Sequence, residues 1–201
     1  MKQENRIMTV SMTGGRRQKC FSVVSGEILS FAGMTEIRKT ENWKKELIED
    51  IRDKLAKGFI VAVEEMIPEV SSKSGAAHVS LSDIDAFNER INLWLALDYY
   101  FDMRDKGSLV GLKKVKSFEI RDSLIQRLSD EKGRVKYEIN WDVINAGHRA
   151  VLLSVLVSMR NPVSDKFLAD FSGGGMTGSG DDENFAERMN NSILRQKKGS
   201  I

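Results

Sequence analysis

The apolar run Phe59-Ile60-Val61-Ala62-Val63 ends in two acids, Glu64 and Glu65. Five apolar residues rich in Val and Ile spell a strand buried on both faces. A carboxylate at the end of such a strand is costly unless it meets a cation, a metal or water. Open α/β sheets place their sites beyond the strand ends, so Glu64 and Glu65 mark the first candidate position for chemistry. The same acids at the start of an ordinary loop would simply be solvated. Three basic clusters are candidate phosphate contacts or solvated turns: Arg16-Arg17-Lys19, Lys113-Lys114-Lys116, and Arg134 with Lys136. Cys20 is the single cysteine, and His78 and His148 are the two histidines. An intrachain disulfide, a cysteine zinc site and an all-His site are thereby excluded, and the lone thiol fits a reducing, cytoplasmic compartment.

The chain that must position these groups has 201 residues, 41% hydrophobic and 30% charged. That is the range of one ordinary globular domain with a tail. With 31 basic and 29 acidic residues the net charge is +2, which excludes a strongly basic nucleic-acid coat but leaves local patches. No apolar run approaches the about 20 residues that cross a bilayer, so no membrane partner is expected. The polar start, Met1 to Arg6, reads as lacking a secretory signal.

Residues 6–12, 17–24 and 27–32 read as three strands joined at Gly14-Gly15 and Ser25-Gly26, an antiparallel meander. Trp43, Leu47, Ile48, Ile51 and Leu55 fall on one face of a helix over 41–57, with Thr40 as N-cap and Gly58 just past the end. The strand 59–66 follows, then a polar Ser/Gly loop over 68–80. A long helix is expected over 82–105, a short strand over 109–115, a helix over 117–130, an extended segment over 134–139 and a strongly apolar helix over 142–160 that Pro162 stops. Trp94, Tyr99 and Tyr100 on the long helix read as core, as a dimer surface or as base-stacking groups. From Ser172 the composition becomes a Gly/Ser linker. Beyond it, Phe185, Met189 and Ile193 recur at helical spacing within 181–198, so that stretch reads as a peptide that docks a protein partner or as a disordered tail. The expected division is thus a domain over 1–171 and a tail over 172–201.

This order of elements resembles the RNase H-like fold and, within it, the RuvC-type resolvases. Residues 6–24 look like the family's first hairpin, Val61-Ala62-Val63-Glu64-Glu65-Met66-Ile67 like its fourth strand with a mobile loop behind it, and 145–157 like its last helix. The resemblance implies an α/β domain with a mixed five-stranded sheet flanked by helices and a flexible C-terminal tail. It also implies DNA as partner, branched DNA included, and a homodimer with a Trp94 and Phe101 stripe at its interface. In the family, carboxylates from the first strand, the fourth strand and the last helix hold two Mg²⁺ or Mn²⁺ ions for phosphodiester hydrolysis.

The sequence departs from that pattern. The first-strand Asp falls on Met12, flanked by Ser11 and Thr13, and the two helix positions read Asn145 and His148. Glu64 is the one carboxylate in place, with Asp142, Glu65 and Glu27 as substitutes. The implied catalytic set is therefore Glu64, His148, Asn145 and Asp142, with Glu64 and Asp142 as metal ligands. Met12, Glu64 and Asn145 or His148 are expected to converge at one end of the sheet. Arg16, Arg17, Lys19 and, in the Ser/Gly loop, Lys73 are expected near phosphates. Three readings follow: a DNA-binding protein with lost or reduced nuclease activity, an adaptor that uses the fold as a scaffold and the tail for docking, and an active Mg²⁺-dependent endonuclease with a rearranged acidic site.

Overall fold

The computed structural model describes residues 4–13, 15–64, 68–85, 90–129, 135–140 and 143–160. The tail over 172–201, with its docking stretch 181–198, lies outside them, as do Glu65, Arg134 and Asp142.

The chain opens with the expected meander. β1 (Glu4–Thr13), β2 (Arg16–Ser25) and β3 (Ile28–Glu36) pair antiparallel in sequence. α1 (Trp43–Ala56) then returns the chain so that β4 (Ile60–Glu64) lies parallel to β1, with Val63 opposite Val10. α1 stops where the sequence says it should. Gly58 sits at φ 76°, and the amides of Gly58 and Phe59 bond back to the carbonyls of Leu55 and Lys54, a Schellman ending. At its start the cap residue is Asn42 rather than Thr40.

Later elements depart from expectation. The polar stretch 68–80 folds into α2 (Pro68–Ser74) and β5 (Ala77–Val79), which pairs parallel outside β4. The long helix begins only at α3 (Asn92–Asp105), with Ile91 at its cap position. The short strand is β6, two residues long (Leu109–Val110), parallel to β3. The helix expected over 117–130 is instead the end of a 3₁₀ segment (Leu112–Phe118) and β7 (Ile125–Ser129), which pairs with β8 (Val135–Ile139) as a separate hairpin. α4 (Ala146–Met159) closes the described chain. The sheet order is β5-β4-β1-β2-β3-β6. The architecture is α/β, a mixed six-stranded sheet flanked by helices, one strand more than the five expected. Its fifth full partner is β5, and β6 is a two-residue addition at the opposite edge.

Alternation along the strands sends side chains to two cores. Met8, Val10, Val61 and Val63 pack under Leu47 and Ile51 of α1 and Val70 of α2. Ile7, Cys20 and Ala62 face the other way, toward α4 and α3. Twelve of the 14 residues of α4 are buried, because sheet, α3 and the 3₁₀ segment cover it from several sides. This is why it is apolar all round. Within that contact the Thr9 hydroxyl donates to the Ala150 carbonyl at 2.7 Å and lies 2.9 Å from the Ser154 hydroxyl. Phe101 is buried and stacks on Tyr137 at 6.1 Å, and Tyr100 is buried as well. The stripe expected to serve a dimer or to stack on bases is therefore mostly interior. No helix among the described residues is long and apolar enough to cross a membrane.

Candidate functional site

Glu64 is the last residue of β4 and is 1% exposed. It shares a sheet end with the last residues of β1, because the two strands run parallel. Its side chain points to the α4 face, as does that of Ser11. The Ser11 hydroxyl donates to one carboxylate oxygen of Glu64. The other oxygen receives the Arg149 guanidinium twice, from Nε at 2.7 Å and from Nη2. Arg149 lies in the first turns of α4, with its side chain 14% exposed. The buried carboxylate is thus neutralised by a protein cation, with both oxygens occupied.

Met12 does not join this group. It is half-buried and packs against the core under α1. Neighbouring strand positions face opposite sides, so a slip of one residue exchanges the faces. Ser11, not Met12, stands on β1 beside Glu64. The expected convergence fails at Met12 and holds for Glu64 with the start of α4.

Asn145 and His148 form the capping box of α4. The Asn145 side-chain oxygen accepts from the amides of Gly147 and His148 at 2.9 and 3.4 Å, and His148 Nδ1 accepts from the Asn145 amide at 3.3 Å. His148 takes the role that Glu or Gln usually fills at this position. Burial holds its pKa below the ordinary 6.5, which keeps Nδ1 an acceptor. Its ring meets Phe118 edge-on at 5.8 Å.

These residues do not fit the Mg²⁺ or Mn²⁺ pair that the resemblance implied. Divalent ions of this kind need several oxygen ligands. Here Glu64 is the one described carboxylate of the set at this end of the sheet, Glu27 lying in the β2–β3 turn at the opposite end; a guanidinium occupies Glu64, and the oxygen of Asn145 is spent on helix amides. Among the described residues no group of three or more His, Cys, Asp or Glu is arranged to hold a metal.

The basic residues expected at phosphates are mostly engaged internally. Arg17 is 7% exposed and lies over the Trp43 ring at 4.3 Å, a cation–π contact. Lys19 pairs with Asp50 at 2.7 Å. Lys73 pairs with Glu69 at 2.9 Å, and the Lys44 and Lys73 ammonium groups together hold that carboxyl down at about 2. Arg16 is exposed. Sequence reasoning missed Arg149 and the role of Ser11. The Arg149 signal was present: a charged residue in an otherwise apolar helix needs a partner, and Glu64 was the buried acid in need of one.

No protein-family model matches the chain, and no curated protein does. It is similar to several solved structures. The large terminase nuclease from thermophilic phage G20c shares 10% identity at a TM-score of 0.47, covering 79% of this chain and 83% of that one. The nuclease domain of the large terminase subunit gp2 of bacterial virus Sf6 shares 10% at 0.49, covering 80% and 89%. A mutant of that Sf6 domain with manganese shares 11% at 0.45, covering 79% and 89%. At these scores the likenesses add nothing to what the strand order says of the fold, and nothing about chemistry.

Proposed function

We propose that this chain is an RNase H-like, RuvC-like protein that binds DNA without hydrolysing it. The observation that carries the reading is the hold of Ser11 and Arg149 on both oxygens of Glu64. A two-metal phosphodiesterase uses its carboxylates to template cations that activate water and stabilise the leaving oxygen. At Glu64 that negative charge is already met by Arg149, and the place beside it on β1 holds a hydroxyl. DNA as the partner is supported by the family resemblance and by exposed cations toward this end of the sheet, Arg16 among them. Contacts of this kind position a backbone without reading its sequence. A homodimer, and engagement of a protein partner through 181–198, belong to the same proposal and are tested by sizing with and without that stretch.

The test is a cleavage assay on four-way junction, duplex and single-stranded DNA in Mg²⁺ and Mn²⁺, with a binding titration on the same samples. Binding without cleavage is expected. Metal-dependent cleavage that Glu64→Gln abolishes would instead establish an active endonuclease with a rearranged acidic site, drawing on Glu65 or Asp142. A carboxylate meant to restore the site belongs at Ser11→Asp, since Met12 lies on the opposite face.

A second reading, a scaffold or adaptor that binds no DNA, is favoured by the internal engagement of Arg17, Lys19 and Lys73. Absence of binding at low salt would select it.

A further inference from the structure

The 3₁₀ segment carries the second basic cluster of the sequence. Lys113, Lys114 and Lys116 are exposed, while Val115 between them is 1% exposed and Leu112 and Phe118 pack against the main core. The segment is two short turns joined at Val115, which leaves helical geometry at φ −122° and ψ 21°. It is clamped at both ends. Gly111 sits at φ 75°, and a side chain there would run into the Phe31 carbonyl. At the other end the Phe118 ring occupies the space that a Cβ on Gly147 of α4 would need. The backbone under the lysines is therefore fixed on two sides, and its far end abuts the first turn of α4, where Arg149 holds Glu64.

None of the three lysines meets a carboxylate among the described residues. The internally engaged cations Arg17, Lys19 and Lys73 differ in this respect. Three like charges within four residues repel one another, and the repulsion is relieved by a polyanion laid along them. A clamped backbone has little freedom left to lose on binding.

We infer that the 3₁₀ segment Leu112–Phe118, through Lys113, Lys114 and Lys116, is the phosphate-tracking rim of the DNA site, in place of Arg17, Lys19 and Lys73. The inference rests on the DNA-binding reading above.

The test is a titration of the full chain with labelled duplex DNA across a range of salt concentrations. Three proteins are compared: the wild type, the triple change Lys113→Ala, Lys114→Ala and Lys116→Ala, and an equal-charge control, Lys44→Ala and Lys45→Ala on α1 with Lys57→Ala just past its end. Each phosphate contact contributes about 0.9 to the slope of log K against log salt. The triple change should lower the slope by about 2 to 3 and weaken binding at least tenfold at low salt, with an unchanged circular dichroism melt. The control should keep the wild-type slope. A triple change that keeps wild-type slope and affinity overturns the rim while leaving DNA binding intact. So does a control that loses as much as the triple change, since net charge rather than place would then decide. A wild type that does not bind removes the DNA-binding reading and the rim together.

Discussion

Glu64 is 1% exposed and both its oxygens accept hydrogen bonds, whereas Lys113, Lys114 and Lys116, on the segment that abuts the same end of α4, are exposed and meet no carboxylate among the described residues. The two regions share a helix terminus and differ in how charge is met. Under α4 an acid that would otherwise demand a cation from solution receives one from the chain. On the rim, cations stand without carboxylate partners among the described residues. The lesson is that charge already matched inside a fold is a stability device, and charge left unmatched on a rigid surface is available to a ligand.

The largest test of this contrast is Arg149→Met. Removing one partner of a buried ion pair leaves the other uncompensated, at about 3–5 kcal/mol. Urea denaturation should show a loss of that order. A loss within surface-substitution range would mean that Glu64 finds another partner and would break the comparison. Next comes the clamp that fixes the rim. Gly147→Ala places a Cβ in the Phe118 ring, and overpacking of this kind costs about 1–3 kcal/mol. Phe118→Leu in the same chain should recover part of it, and no recovery would show that the cost arises elsewhere.

A smaller effect follows from His148. Burial lowers its pKa below 6.5, so above that pH it is neutral in both folded and unfolded chains and the full stability is present. As the pH falls below 6.5 the unfolded chain takes up the proton first, and stability declines until the depressed folded pKa is passed. His148→Gln keeps a capping-box side chain and should flatten the dependence in that window. The smallest signal is a null one. Burial pushes the Cys20 thiol up to about 12, so thiol reagents should label it only as the protein unfolds.

Much of the sheet was legible because its strands announce themselves locally. The meander, α1 with its Gly58 ending, β4 and α4 follow from turn signals and periodicity. The failures have physical causes. Leu124, Ile125 and Leu128 sit at a spacing that suits a helix, but pairing with 135–139 makes Ile125–Ser129 a strand, a long-range contact that local pattern cannot carry. α2 was missed because five of its seven residues are polar and Val70 alone gives no helical periodicity, although Pro68 opens it as proline often does. At the site, the sequence places Glu64 at a strand end and Asn145 and His148 at the start of the last helix, but it does not carry their contacts. A motif marks where a residue lies, not whether its atoms are already spent on helix amides. Met12 was wrong by one residue, which on a strand is the other face.

The most direct test of the account is a double-mutant cycle on Glu64→Gln and Arg149→Met, read by equilibrium denaturation. Removing both charges leaves neither buried and unpaired, so the double variant should be more stable than the sum of the two single losses predicts. Direct contact predicts a coupling of about 1–3 kcal/mol. Additivity within about 0.5 kcal/mol would contradict the claim that Arg149 is the cation that Glu64 requires.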